Sequence, residues 1–423
     1  MNICNLCREE YGIEYGTEEC RAKKQEMGEI LARLSGGMPP TPSSVKYVRV
    51  GREKEEKRIC DDPHEGMIAV KGSDVGKAFY ILADFGFGKS FFLNLITDRA
   101  KNMNFVTSTI QIPDIENLAD FENIYCQIIS NLEYPDKEVR GISTLLYKIF
   151  DHFQNMAQYK DFVREEGIIG HPLRKMLQNM LKAEFSGNFS YTYNRQVVDL
   201  DIDDMIENVS NYLTGETMEA ERLWSIGKKG FDKIRKEDTI QYLVNLKKFI
   251  IEVGYSGLII QIDEIAEAMK WTTPSGLTSQ LINLHNKVFE KYELSKVMIN
   301  YVGTPSKWDD LINKTGHGAL IGRYKTGRLP LTELSRLDYI NLLTKIIKVY
   351  ECAMGSDLNI DRRDIEKFVD ISIQKYRTIS SLPPRDFINN PFKDEKSVKK
   401  ILDEIRDGTV DFETIIANTL ETE

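Results

Sequence analysis

A glycine-rich segment ending in lysine and serine is the first feature of this sequence that could do chemistry. Residues 83–90 read Ala-Asp-Phe-Gly-Phe-Gly-Lys-Ser, the phosphate-loop form in which a small residue and four others precede Gly-Lys-Ser. Backbone N–H groups would turn toward a phosphate, Lys89 would reach the β- and γ-phosphates, and the Ser90 hydroxyl would bind Mg²⁺. The segment therefore predicts nucleotide binding by Ala83, Asp84, Phe85, Gly86, Phe87, Gly88, Lys89, Ser90 and Phe91.

Two consecutive acids follow a second apolar run. Residues 257–264 read Gly-Leu-Ile-Ile-Gln-Ile-Asp-Glu. Asp263 would hold the Mg²⁺ and Glu264 would polarise the water that attacks the γ-phosphate. A simpler interpretation is a strand followed by an acidic helix start, since Asp and Glu favour that position. Small-molecule kinases have less need of a water-directing acid, so together with the phosphate loop the pair favours an ATPase.

Four further polar residues could complete such a site. Thr304 follows an apolar run and could sense the γ-phosphate, although a plain turn before Pro305 is the alternative. Arg323 and Arg328 follow in a glycine-punctuated loop and could act as a finger on a neighbouring subunit's nucleotide. Arg385, in Pro-Arg-Asp, could lie over the phosphates, or could form a surface salt bridge.

Apolar runs of strand length precede or carry most of these residues. The run 78–82 leads into the phosphate loop, and a helical run begins at Phe91. Unbroken apolar runs are typical of parallel strands that are covered on both faces. Other runs are 105–112, 258–262, 297–302 and 328–331. The pattern predicts an α/β fold with a three-layer core and a parallel sheet.

The chain between the phosphate loop and the acids is much longer than the ~30 residues of a βαβ unit. Its periodicity is helical, as at Met205, Ile206 and Val209. We therefore expect a large helical insertion. The predicted organisation is an N-terminal helix and linker at 1–45, the first part of the ATPase core at 46–116, the helical insertion at 117–250, the second part of the core at 251–333, and a helical C-terminal lid module at 334–423.

Composition limits the partners. The chain has 423 residues and a net charge of −9, so DNA contact requires a local basic face. The best candidates are the lysines and arginine at 228–229, 233–236 and 247–248, although a solvated helix face is the usual explanation of such clusters. No apolar run approaches the ~18 residues of a membrane helix. We therefore expect a cytoplasmic protein without a membrane segment.

The cysteines indicate neither a disulfide scaffold nor a closed zinc site. Only six are present, and reduced thiols are expected. Cys4 and Cys7 form one pair of metal-ligand spacing, with Cys20 further along. A structural zinc site usually requires a second pair, which is missing.

Several motifs together resemble a known family. They are Val-Gly-Arg at 50–52, the phosphate loop, Tyr-Leu-Thr-Gly-Glu at 212–216, Gly-Tyr-Ser-Gly-Leu at 254–258, Gly-Thr-Pro at 303–305 and Pro-Arg-Asp at 384–386. In this order they are similar to the P-loop ATP-binding proteins of bacteriophage-exclusion (BREX) defence systems, which are related to AAA+ and origin-recognition ATPases. The similarity runs over roughly residues 26 to 390. Ala83 departs from the more frequent glycine at the first loop position.

The resemblance implies an AAA+-like ATPase that uses ATP and Mg²⁺ and works on DNA with other defence proteins, of helicase or methyltransferase type. In such families Lys89 and Ser90 bind the nucleotide, Asp263 binds the metal and Glu264 activates water. We expect ATP hydrolysis coupled to remodelling of a protein–DNA complex. An ATP-dependent switch with little turnover, and an origin-type or STAND-like ATPase outside phage defence, stay open, as does a homo-oligomeric state.

Overall fold

The computed structural model describes twelve stretches of the chain, and the chain divides by internal contacts into two compact units. The first unit comprises Met1–Arg58, Ile81–Asp98 and Leu329–Glu423, and the second comprises Ile59–Tyr80 and Arg99–Arg328. The described residues are 17–72, 76–112, 121–168, 172–186, 189–194, 196–216, 218–228, 234, 238–264, 294–315, 318–393 and 396–421.

Eight strands are present among the described residues: β1 Lys77–Leu82, β2 Val106–Gln111, β3 Leu132–Glu133, β4 Phe189–Tyr193, β5 Gln196–Leu200, β6 Leu258–Asp263, β7 Val297–Gly303 and β8 Arg328–Pro330. Six form one sheet in the order β3-β2-β6-β7-β1-β8, and β4 and β5 form a separate hairpin. Strands β2, β6 and β7 run parallel, while the short β3 pairs antiparallel with β2. The predicted α/β fold is confirmed, with a mixed sheet in place of a purely parallel one.

Helices make up most of the remaining described chain. They are α1 Glu18–Ser35, α2 Glu53–Glu56, α3 Met67–Gly72, α4 Lys89–Asn102, α5 Phe121–Ser130, α6 Ile142–His152, α7 Met156–Glu165, α8 Pro172–Ser186, α9 Ile202–Leu213, α10 Ala220–Ser225, α11 Thr239–Glu252, α12 Pro305–Thr315, α13 Gly318–Gly327, α14 Arg336–Met354, α15 Arg362–Lys375, α16 Pro384–Asn389, α17 Val398–Arg406 and α18 Phe412–Glu421. Within the described residues, none combines the length and apolarity needed to cross a bilayer.

The core of the second unit lies around the central strands. Every residue of β6 and β7 is buried, as their unbroken apolar runs predict. Two buried amides interrupt these runs, since Gln261 and Asn300 face each other in the register of the two strands. Gln261 Nε2 donates to Thr109 Oγ1 across 3.0 Å, and this bond offsets part of the cost of burying the amide.

The first unit has its own helical core. Helix α1 buries Met27, Ile30, Leu31 and Leu34, whose spacing places them on one helix face. This face packs with α14 in a cluster of buried apolar residues that extends to α15 and α17. Helix α1 begins after Thr17, whose hydroxyl accepts the Cys20 N–H, and ends before Gly36, its C-cap residue.

The structure differs from the local sequence pattern in two places. The sequence Lys-Tyr-Val-Arg-Val-Gly at 46–51 is typical of a short extended segment, but Val45–Tyr47 is a 3₁₀ turn. The insertion, expected to be helical, also contains the hairpin of β4 and β5. The β-strand preference of this stretch comes from Tyr191, Thr192 and Val197. The sequence on both sides has helical periodicity, and the prediction for the whole insertion followed that periodicity.

Candidate functional site

The phosphate loop lies between β1, which ends at Leu82, and α4, which begins at Lys89. Gly86 and Gly88 have φ angles of +82° and +87°, a region that side chains other than glycine rarely adopt. A Cβ on Gly86 would also lie 2.9 Å from Pro383 Cβ. A glycine turn followed directly by a helix start is the arrangement that binds anions, because the first N–H groups of an α-helix cannot bond to a carbonyl of the same helix.

Lys89 crosses the loop. Its Nζ donates to the carbonyl oxygens of Ala83 at 2.9 Å and Asp84 at 3.0 Å. Ser90, the next residue, is exposed in the first turn of α4. An ammonium and a hydroxyl therefore stand at the positive end of a helix, where phosphate oxygens and a cation with oxygen ligands could be held.

Arg385, the last of the predicted nucleotide residues, also lies at this loop. Its backbone N–H donates to the Gly86 carbonyl across 3.3 Å. Its guanidinium lies 5.0 Å from the ring centre of Phe85, whose side chain is 70% exposed. The first unit therefore brings together residues 83–91 and a cation that comes from α16.

Arg52 is a loop contact that the sequence analysis missed. It is only 3% exposed, and its Nη2 donates to the Phe87 carbonyl at 2.9 Å. Burial lowers the pKa of this guanidinium, and the nearby Glu55 carboxylate opposes the shift. Val-Gly-Arg served only as a family motif in the sequence. A buried arginine needs partners, but their identity could not be read from spacing.

In the second unit, Asp263 and Glu264 lie at the carboxyl end of β6. Asp263 is 2% exposed. One of its carboxylate oxygens accepts the Glu264 N–H at 2.9 Å, and the other accepts Gln111 Nε2 at 3.4 Å. Carboxylate oxygen is the ligand that Mg²⁺ prefers, so Asp263, like Ser90, has suitable chemistry. Gln111 is the opposite residue in the register of β2 and was not predicted.

The backbone at Glu264 adopts the left-handed region, with a φ angle of +55°. This costs on the order of 1 kcal/mol for a residue that is not glycine. Such strain is often found at functional sites, which supports a specific task for this residue.

Thr304 joins β7 to α12 and accepts the Trp308 N–H at 3.2 Å through its carbonyl oxygen. Its buried hydroxyl has no hydrogen-bond partner among the described residues. Arg323 lies in α13 and Arg328 is the first residue of β8, so the glycine-punctuated loop predicted for them is wrong. Gly318, Gly322 and Gly327, the glycines of the predicted loop, lie within this helix.

Arg328 has contacts within its own unit. Its Nη2 lies 3.8 Å from an Asp309 carboxylate oxygen, and its guanidinium lies 5.7 Å from the ring centre of Tyr324. Cys4 and Cys7 fall outside the described residues. Cys20 is buried in the core of the first unit, and no group of three or more His, Cys, Asp or Glu side chains within the described part of the chain could hold a metal ion.

Comparison with known proteins agrees with the motifs. Residues 22–394 match the family described as BREX system ATP-binding protein BrxC/D. The chain belongs to this family. The BREX resemblance inferred from the motifs is thus confirmed, and with it ATP binding within this defence system.

The solved structure of the ORC2 protein of Aeropyrum pernix, in ADPNP and ADP complexes, is 12% identical to this chain, covers 87% of it and 68% of its own length, and superposes with a TM-score of 0.40. The search of curated proteins gave no match.

Proposed function

We propose that this BREX family member hydrolyses ATP and couples the reaction to remodelling of a protein–DNA complex. The observation that carries the proposal is the strand, glycine turn and helix at 77–102, with Lys89 lying across the turn. The strained backbone of Glu264 directly after a buried Asp263 is the second support. A protein that only binds ATP would have no need of a water-directing acid.

Each residue has a task in this reaction. The loop N–H groups and Lys89 would bind the β- and γ-phosphates. Mg²⁺, held by Ser90 and Asp263, would neutralise phosphate charge. Glu264 would take a proton from the water whose oxygen attacks the γ-phosphorus, as the bond to the β–γ bridging oxygen breaks and ADP leaves.

Thr304 and three arginines are the further candidates for contacts with the phosphates. The buried Thr304 hydroxyl would hydrogen-bond to the γ-phosphate. Arg323 or Arg328 would neutralise the developing charge on a neighbouring subunit's nucleotide, which requires a homo-oligomer. Arg385 would contact the phosphates from the C-terminal module.

The wider proposal concerns partners and organisation. We propose that DNA and other defence proteins, of helicase or methyltransferase type, are the partners, and that the protein works in the cytoplasm. Residues 117–250 would serve as an insertion between the two parts of the core at 46–116 and 251–333, and residues 334–423 as a lid.

Glu264→Gln tests the reaction. The amide keeps the shape of the side chain but cannot accept the proton, so steady-state ATP turnover should fall by about 10²- to 10⁴-fold while ATP affinity is retained. Phosphate release and calorimetric titration measure the two quantities, with and without duplex or single-stranded DNA.

Glu252→Gln is the matched control, because this glutamate pairs with His152 on the protein surface and should leave turnover unchanged. Wild-type protein that binds ATP without measurable turnover would favour the ATP-dependent switch. Equal turnover in Glu264→Gln and wild type would reject Glu264 as the base.

A further inference from the structure

We propose that Arg52 is a positioning residue that fixes the phosphate loop and the start of α14 in one arrangement, so that nucleotide phosphates and the C-terminal helices influence each other through it. The inference concerns the loop to which the proposed function assigns ATP. All the residues involved belong to the first unit.

The guanidinium joins two segments that are far apart in sequence. Nη2 donates to the Phe87 carbonyl inside the phosphate loop at 2.9 Å, and Nη1 donates to the carbonyl of Thr332. Nη2 would also lie 3.9 Å from a Cβ placed on Gly88. The planar fork of arginine can reach two carbonyl oxygens in a fixed geometry. One side chain thus sets the distance between the loop and the chain that leads into α14.

The short helix α2 makes a second contact with Thr332, which strengthens the link. Arg52 is the N-cap residue of α2, and Glu55 lies within that helix. Glu55 Oε1 accepts the Thr332 N–H at 2.7 Å and also the Thr332 hydroxyl. The backbone carbonyl of Thr332 is therefore bound by the N-cap residue of α2, and its N–H is bound by Glu55 within the helix. Because Arg52 and Glu55 are each 3% exposed, their charges are desolvated and depend on each other and on these bonds.

Gly51 explains why the chain can present Arg52 here. Its φ angle is +63°, and a Cβ on it would lie 2.6 Å from Leu334 Cδ2 and 2.8 Å from Asp338 Cγ. Asp338 closes the capping box at the first turn of α14 together with Ser335. The turn that aims Arg52 at the phosphate loop is therefore in contact with the beginning of α14.

If Arg52 only supported the core, its loss would have a different effect on the protein than loss of the proposed link. Loss of a buried charged side chain that only supports the core would lower the stability of the whole unit. Loss of the proposed link would loosen two specific places, the loop at 83–90 and the segment at 331–336, while the buried middle of α14 stays protected. Hydrogen exchange separates these cases, because local opening is measured peptide by peptide.

Arg52→Lys in the full chain is the test. Lysine keeps the positive charge but offers one ammonium in place of the fork. In nucleotide-free protein we expect exchange of the amides in 83–92 and 329–337 to become on the order of tenfold faster. Exchange in 340–352 should not change. Arg49→Lys is the matched control, since Arg49 pairs with Glu56 outside the phosphate loop and should leave both peptides as in wild type.

Nucleotide titration supplies the second measurement. Arg52→Lys should weaken binding of ATP, ADP and inorganic tripolyphosphate by a similar factor of about ten, because the loop that holds the phosphates is loosened. With bound ATP, the exchange of 329–337 should slow in wild type and not in Arg52→Lys.

The outcomes separate this inference from the proposed function. Uniform acceleration of exchange across the first unit, or unchanged exchange in both peptides of a folded Arg52→Lys, would overturn the link. Thr332→Val, which removes the hydroxyl bond to Glu55, should accelerate exchange only in 329–337. This variant still tests the link if Arg52→Lys fails to fold. Because the first exchange comparison uses nucleotide-free protein, and the titration measures nucleotide binding without turnover, both measurements remain decisive even if ATP hydrolysis were absent.

Discussion

Lys89 is the residue on which phosphate binding depends most directly. Its ammonium donates to two carbonyl oxygens of its own loop, so it is already directed across the turn that phosphates would enter. Lys89→Ala removes a charge-assisted donor, worth roughly 1.5–3 kcal/mol. We expect ATP affinity to fall by about 10- to 100-fold in a calorimetric titration.

Lys101→Ala is the control for that measurement. Lys101 lies in the last turn of the same helix and pairs with Glu133 at 2.7 Å, so its loss should not alter ATP affinity. Unchanged affinity in Lys89→Ala would refute the assignment of the lysine to the phosphates.

The predicted and unpredicted residues of the site differ in how far apart in sequence their contacts lie. The roles of Lys89 and Asp263 follow from motifs of a few consecutive residues. Gln111 and Arg52 were missed because their contacts join positions distant in the chain, Gln111 to Asp263 and Arg52 to Phe87 and Thr332. A single sequence contains no signal for such pairs, although the oddity of a buried arginine is visible once burial is known.

At the scale of elements, one carboxylate adds a polar contact between helices α17 and α14, which also share the apolar cluster of the first unit. Asp403 accepts the Tyr350 hydroxyl at 2.5 Å and Lys399 Nζ at 2.7 Å. Burial alone would raise the pKa of Asp403, but the hydrogen bonds from Lys399 and Tyr350 outweigh it and lower the pKa below its ordinary value. The folded state therefore binds this proton less readily than the unfolded state, and the carboxylate stabilises the fold.

Asp403→Asn should accordingly destabilise the protein by about 1 kcal/mol near pH 7, since the group is partly exposed. Because the folded pKa is depressed, the contribution is present above the unfolded pKa of about 4 and is lost as pH falls through the folded value. Thermal unfolding from pH 7 to pH 3 should show the two melting curves converging in acid. Asp370→Asn, at an exposed pair with Arg336, should shift the melting temperature less. A constant gap at all pH values would contradict the assignment.

The elements that the sequence predicts best are those with one dominant signal. The runs at 258–262 and 297–302 are apolar throughout, and they became the fully buried β6 and β7. The segment 46–51 alternates charged and apolar residues, which suits a strand, but its apolar Val48 and Val50 are buried in the helical core of the first unit. Tertiary packing therefore determines the conformation of this segment, and tertiary packing cannot be predicted from a local sequence pattern.

At the scale of the whole molecule, the lysines that could face DNA are partly engaged by the protein itself. Lys247 is 5% exposed and donates to Ser295 Oγ at 3.3 Å, so its prediction as a DNA-facing residue is wrong. Lys248 donates to the Glu166 carbonyl and lies 3.7 Å from its carboxylate. Lys228 lies 5.0 Å from the ring centre of Tyr212. Lys229, Lys233, Arg235 and Lys236 fall outside the described residues.

Because the net charge is −9, the proposed DNA binding would have to come from a few cations acting against overall repulsion. We therefore expect duplex affinity to fall with added salt, with a slope of about 0.9 in log–log form for each phosphate contacted. Changing Lys233, Arg235 and Lys236 together to alanine should lower that slope by up to about three, as measured by fluorescence anisotropy from 50 to 200 mM salt.

Lys248→Ala is the control, because its ammonium is already paired with Glu166, and it should leave the slope as in wild type. An affinity independent of salt, or an equal slope in the triple variant, would show that the cluster at 233–236 does not contact DNA, and the proposed work on DNA would then have to depend on partner proteins.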